Sequence, residues 1–120
     1  MHSFRIKMVI VAALMLISVL TSAAQQIADE GFDPAISSPT YQPAKGTLIL
    51  VDEAHHNFHT IGTRYTAFAK VLRKDGYRVE SNKAEFTAES LKNAKILVIA
   101  NALNKQNIHS WVLPNPSAFT

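Results

Sequence analysis

Two short apolar segments, TLILVD at residues 47–52 and KILVIAN at residues 95–101, place the strongest constraint on the fold. Each is continuous, rich in β-branched residues and too short for a buried helix, which is typical of strands covered on both faces of a parallel sheet. We therefore predict two central parallel strands, the first ending at Asp52 and the second at Asn101.

The segment between these strands predicts a helix, an edge strand and a second, shorter helix. Apolar residues of the first helix recur at helical spacing: Tyr65, Phe68, Ala69, Val71 and Leu72. Thr60 or Thr63 can cap its start, and Gly76 supplies the left-handed residue that ends it. YRVE at residues 77–80 alternates as an edge strand does, and Thr87 can cap the second helix.

Strands that alternate with helices connect through right-handed crossovers into a parallel sheet. With the short alternating strand at the edge, the spatial strand order is 2-1-3. The predicted fold class is therefore α/β, a partial flavodoxin-like three-layer sandwich. Because a complete fold of this type needs further strands, we expect residues 47–120 to be the amino-terminal portion of the domain, truncated at its carboxyl end.

The first 24 residues predict a secretory signal peptide. Arg5 and Lys7 precede a run of 13 residues, 8–20, that is apolar except for Ser18, and small residues including Ala24 follow it. This run is shorter than the roughly 20 residues that a membrane-spanning helix needs. We therefore expect an exported protein, with the periplasm as its compartment and no stable membrane span after cleavage. Residues 25–46 predict an extended lead-in that packs only locally, through Phe32 and Tyr41.

Charge and cysteine content exclude several classes of function. The formal net charge of the chain is +3, and removal of the signal peptide takes away two basic residues and no acidic one, which leaves +1. The other Lys and Arg residues are scattered, so we expect no nucleic acid partner. The chain contains no cysteine, so neither a disulfide framework nor a cysteine nucleophile is available.

Polar residues gather where the predicted sheet should bind a ligand. Ligands of open parallel sheets bind beyond the carboxyl ends of the strands where strand order reverses, here between the first and third strands. The candidate ligand-binding residues are Asp52, Glu53, His55, His56, Asn57, His59, Arg64, Asn101 and Asn104, with His109 further along. We expect them to hold a small polar ligand or a peptide. Capping of strand and helix ends explains Asp52 and Asn101 equally well.

A metal-dependent hydrolase is the alternative function. Three histidines, His55, His56 and His59, lie close to Asp52, and imidazoles with a carboxylate are what zinc or a similar divalent ion requires. Glu53 would then be the catalytic base. The order of these residues matches no HExxH motif. The letters DEAH at residues 52–55 do not indicate a helicase, because the chain has no phosphate-binding loop of the form GxxxxGK[ST].

Three longer blocks form a further pattern: GTLILVDEAHHNFHTIGTRYTAFAKVLRKDGYRVE, FTAESLKNAKILVIANAL and WVLPNPSAFT. Together they resemble an uncharacterised family of exported bacterial proteins with a class I glutamine-amidotransferase-like domain, related to domains in gliding-motility and intraflagellar-transport proteins. The resemblance covers residues 32–120 and implies the fold more firmly than an activity. The positions that match its most recognisable block are Asp52, Glu53, His55, His56, Asn57, His59 and Tyr65. Amidotransferase chemistry uses a cysteine, which this chain lacks.

Cleavage of the signal peptide can be tested by the mass of the protein recovered from a bacterial cell envelope. We expect the mature chain to begin at Gln25. Ala24→Phe should leave the leader attached, because the residue before the cleavage site must be small. Ala35→Phe, a matched change in the lead-in, should not alter processing. Recovery of the unchanged protein with residues 1–24 still attached would indicate a retained membrane anchor instead.

Overall fold

A computed structural model describes residues 27–119 of the chain. The predicted signal peptide, residues 1–24, lies outside the described residues. In chain order the elements are β1 (Leu48–Asp52), α1 (Thr66–Lys74), β2 (Arg78–Asn82), α2 (Ala88–Leu91), β3 (Ile96–Val98) and a 3₁₀ helix (Lys105–Asn107). No helix within the described part of the chain is long and apolar enough to cross a bilayer.

The three strands form one parallel sheet in the order β2-β1-β3. Ile49 of β1 lies opposite Val79 of β2 on one side and Ile96 of β3 on the other. All five residues of β1 are buried, as a central strand requires. The predicted fold class, a partial flavodoxin-like α/β fold with strand order 2-1-3, is therefore confirmed.

The hydrophobic core lies between the sheet and α1. Ile49, Val51, Ala69 and Val79 form its buried centre. Ile61, Leu72, Tyr77 and Val98 pack around that centre. Burial of each large aliphatic side chain contributes about 1.5–3 kcal/mol. Two residues of the predicted apolar stripe of α1, Phe68 and Val71, are more than one third exposed, so the helix buries a narrower face than its sequence predicts.

The predicted threonine caps of α1 are wrong. The residue at the cap position is Tyr65, which makes no side-chain capping hydrogen bond. The hydroxyl oxygens of Thr60 and Thr63 instead lie 2.8 Å apart in the turn before the helix. The hydroxyl of Thr66 donates to the Thr63 carbonyl oxygen over 2.6 Å. Thr60 and Thr63 therefore stabilise the turn before α1 and do not cap the helix.

The lead-in does more than pack locally, so that expectation is wrong. The Lys70 ammonium group donates to the Glu30 carbonyl oxygen at 2.8 Å, across 40 residues of sequence. The Asp75 carboxylate accepts from both the backbone N–H and the hydroxyl of Thr40, across 35 residues. These contacts join the lead-in to α1 and to the turn after it.

Two glycines let the lead-in approach this turn closely. Gly76 has a φ of +91°, which confirms the predicted left-handed residue at the end of α1. A Cβ at Gly76 would overlap the backbone carbonyl of Tyr41. A Cβ at Gly46 would lie 2.7 Å from the Tyr41 ring. Tyr41 also packs edge-on against Tyr77, with ring centroids 5.1 Å apart.

β2 and α2 follow the predicted pattern. The first three side chains of β2 alternate between solvent and core, with Arg78 and Glu80 exposed and Val79 buried, whereas Asn82 at the end of the strand is buried. Thr87 caps α2 and forms a capping box with Ser90, in which each side chain accepts from the backbone N–H of the other residue. α2 contains only four residues, so it covers little of the sheet.

β3 is shorter and less covered than predicted. It spans three residues, and Ile96 and Ile99 are 44% and 47% exposed. The expectation of a strand covered on both faces is therefore wrong within the described residues, because the single turn of α2 is too short to cover it. Ala100, the residue after Ile99, is buried.

Gly76→Ala should lower the free energy of unfolding by at least about 2 kcal/mol. The left-handed conformation and the overlap with the Tyr41 carbonyl both oppose a Cβ at this position. Gly62→Ala is the matched control, because a Cβ there meets no atom within 4 Å. Urea unfolding measures both changes. Equal midpoints for the two variants would show that the lead-in is not held against this turn.

Candidate functional site

A buried carboxylate ends the central strand. Asp52 is fully buried, and three donors from the loop that follows it surround its oxygens. Oδ1 accepts from the backbone N–H of Ala54 at 3.2 Å and from Nδ1 of His55 at 2.8 Å. Oδ2 accepts from the amide nitrogen of Asn57 at 2.9 Å. Because a buried charge is costly unless it is hydrogen-bonded, Asp52 determines how this loop folds.

The contact with Asp52 orients the His55 ring. Nδ1 donates to the carboxylate, so in the neutral ring Nε2 carries the free lone pair. The side chain is 11% exposed. Its ring lies 4.5 Å from the Phe86 ring and 4.9 Å from the Phe119 ring, between centroids. His55 is therefore a fixed imidazole that two aromatic rings hold in place.

The loop after β1 also closes the space between the ends of β1 and β3. The Asn57 side chain donates to the Ala100 carbonyl oxygen at 3.1 Å. The Phe58 N–H donates to the Asn101 oxygen at 3.3 Å, and the Leu103 N–H donates to the His55 oxygen at 2.8 Å. At the predicted location of a ligand crevice, between the first and third strands, hydrogen bonds therefore join the segments that follow β1 and β3.

An open cleft lies instead on the β2 side of the loop. It has a volume of about 270 Å³ and is lined by His55, Glu85, Phe86, Ala118 and Phe119. Of these residues, the sequence predicted only His55 as a ligand contact. Glu85 and Phe86 follow the carboxyl end of β2, so the strand-end rule applied to β2 as well would have found them. Nothing local in the sequence indicates that residues 118 and 119 return to this place.

The other acidic and histidine candidates point in different directions. Oε1 of Glu53 accepts from the backbone N–H of Ile61 at 2.9 Å, so this carboxylate stabilises the turn before α1. His56 is exposed and has a φ of +49°. The ring of His59 is half-buried and packs on Tyr65, with centroids 4.9 Å apart.

The remaining candidates surround the loop without joining His55 in the cleft. The Arg64 guanidinium carbon lies 3.7 Å from the Phe58 ring centroid, a cation–π contact. Asn101 is exposed, with a φ of +48°. Asn104 caps the 3₁₀ helix through Oδ1 and donates from Nδ2 to the Ser117 oxygen at 2.8 Å. It thereby stabilises the segment that brings Phe119 to the cleft. His109 is exposed.

The histidines do not form a metal cluster in the described part of the chain. Within residues 27–119, no three histidine, aspartate or glutamate side chains are grouped so that they could hold a metal ion. His55 directs Nδ1 to Asp52 rather than toward His56 or His59. A site for zinc or a similar ion stays a prediction from the sequence.

Comparisons with known proteins found no match: no protein-family model and no curated protein matches the sequence, and no solved structure matches the fold. The resemblance to the amidotransferase-like family therefore stays a prediction. The functional argument rests on the geometry of the Asp52–His55 pair and the cleft beside it.

Asn57→Ala should lower the free energy of unfolding by about 1–3 kcal/mol, because it removes a donor from the buried Asp52 and from the Ala100 carbonyl. Asn93→Ala is the matched control at an exposed position, where a change within about 0.5 kcal/mol is expected. Chemical denaturation compares the two variants. Equal effects would mean that Asn57 does not fasten the loop to the sheet.

Proposed function

We propose that this chain is an exported ligand-binding or scaffold domain, without amidotransferase activity, that holds a small polar molecule or a peptide at the carboxyl ends of its parallel strands. The observation that carries the proposal is the position of His55. Buried Asp52 fixes its Nδ1, and the ring lines an open cleft of about 270 Å³. Export is proposed from the signal-like first 24 residues.

The fixed ring supports binding because a ligand does not have to order it. Binding ordinarily costs about 0.5–1.5 kcal/mol for each flexible side chain that becomes immobilised. Asp52, Phe86 and Phe119 already restrict the His55 ring. A hydrogen bond from a ligand to Nε2 would therefore be gained without that cost.

The lining of the cleft favours binding over nucleophilic catalysis. An aspartate–histidine pair also occurs in hydrolases, where the histidine activates a hydroxyl or thiol nucleophile. The described residues that line this cleft carry one imidazole, one carboxylate, two phenyl rings and one methyl group. Neither a hydroxyl nor a thiol is among these side chains. Binding is therefore the function that this part of the chain supports best.

The ligand-binding proposal predicts contacts between the cleft and small polar molecules. Saturation-transfer NMR of the exported protein would be measured against a panel of amino acids, dipeptides and monosaccharides. We expect at least one class to bind, and His55→Ala to weaken it about tenfold by removing one hydrogen bond to the ligand. His109→Ala is the matched control, since this exposed histidine does not line the cleft.

A second variant separates loss of the contact from loss of the fold. Phe119 is 52% exposed at the rim, so Phe119→Ala should weaken binding while the unfolding midpoint stays within a few degrees. Absence of binding for every class in the panel would overturn the proposal. Stoichiometric zinc in protein purified without a histidine tag, lost in the His55→Ala, His59→Ala double variant, would favour the metal-dependent hydrolase with Glu53 as base.

A further inference from the structure

We propose that the cleft beside His55 selects an organic cation with N–H donors, a primary ammonium or a guanidinium group on a short apolar chain. This inference rests on the proposed ligand-binding function and names the ligand class of the same site. The inference depends on three kinds of side chain from residues that line the cleft: the carboxylate of Glu85, the imidazole of His55, and the rings of Phe86 and Phe119.

The Glu85 carboxylate supplies negative charge, and no cationic side chain of the described residues forms an ion pair with it. It is exposed and takes part in none of the ion pairs found within residues 27–119. The described lining of the cleft includes neither lysine nor arginine. A cationic ligand would therefore meet an unpaired carboxylate, whereas an anionic ligand would meet repulsion.

The imidazole adds an acceptor rather than a donor. Because Nδ1 donates to Asp52, the neutral His55 ring presents the lone pair of Nε2. Glu85 and His55 both line the cleft, so their side chains bring two kinds of acceptor to one small space. An ammonium or guanidinium group carries several N–H donors and no acceptor, which matches this arrangement.

The two phenyl rings favour the same ligand. Phe86 and Phe119 are stacked, with centroids 5.8 Å apart and planes 25° from parallel. The face of an aromatic ring attracts a cation, and its area also packs an alkyl chain. The volume of about 270 Å³ lies just below the range of about 300–1,000 Å³ typical of ligand pockets, so the ligand is small. A free alkylamine and a basic peptide side chain both satisfy these conditions.

The test compares ligands of equal chain length and different charge. The exported protein, purified without a histidine tag, is titrated with n-butylammonium, 1-butanol and butyrate, and ¹H–¹⁵N NMR follows the backbone amides of Glu85, Phe86, Ala118 and Phe119. We expect n-butylammonium to shift these signals at lower concentration than either of the other two. Added salt should weaken this binding, because the ion pair is exposed. Titration with Nα-acetyl-lysine methylamide and with its norleucine analogue tests whether a peptide side chain is the source of the cation.

Two variants test the side chains that carry the inference. Glu85→Gln should weaken n-butylammonium binding about fivefold, the upper value for an exposed ion pair. Glu80→Gln removes the same charge from an exposed position on β2 that does not line the cleft, and it should leave the affinity unchanged. Phe119→Leu should weaken cation binding roughly two- to fivefold through loss of the ring face.

The results also separate this inference from the proposed function. Equal binding of 1-butanol or butyrate, or an unchanged affinity in Glu85→Gln, would overturn the cation preference and leave a ligand site in place. Failure of all these probes to shift the cleft amides would overturn the cation preference, and the ligand-binding function would fall with it only if the amino acids, dipeptides and monosaccharides also failed to bind. A stronger response to acetyl-lysine methylamide than to n-butylammonium would support a peptide ligand, and the reverse order would support a free amine.

Discussion

The burial of the Asp52 carboxylate at the end of the central strand is the constraint on which the rest of the site depends. A charge that is fully removed from water is stable only with donors around it. The loop that follows β1 supplies them from Ala54, His55 and Asn57 within five residues. Removing any one donor leaves a buried acceptor incompletely satisfied, so the loop has little freedom to adopt another conformation.

The same hydrogen bonds decide which polar atoms face solvent. Asn57 joins the Asp52 carboxylate to the Ala100 carbonyl and so connects the ends of β1 and β3. This connection lies at the position where an open sheet of this order would ordinarily bind a ligand. The open cleft lies on the β2 side of the loop, where the rings of Phe86 and Phe119 pack against the His55 ring. A structural requirement at Asp52 thus places a fixed imidazole at the edge of a cleft.

The lead-in stabilises the opposite end of the sheet. Thr40 binds the Asp75 carboxylate, and the Tyr41 carbonyl occupies the space that a side chain at Gly76 would need. Both contacts hold the turn between α1 and β2, and this turn positions β2 beside β1 in the register that sets Asn82 opposite Asp52. Residues outside the sheet therefore help to align the strand ends at which the candidate site lies.

Local sequence patterns determined the burial of β1, the left-handed Gly76 and the Thr87 cap, because each depends on residues within a few positions of one another. The strand order 2-1-3 followed from the alternation of strands and helices along the chain and from the edge-strand pattern of β2. The pattern also placed Asp52 and His55 at a strand end. Only the tertiary structure decided that Asp52 would hold His55, that Glu53 would bind the turn before α1, and that residues 118 and 119 would line the cleft. The physical reason is that the structural role of a polar side chain depends on the group to which it hydrogen-bonds. For Asn57 and Ala100 that partner is 43 residues away, beyond any local periodicity.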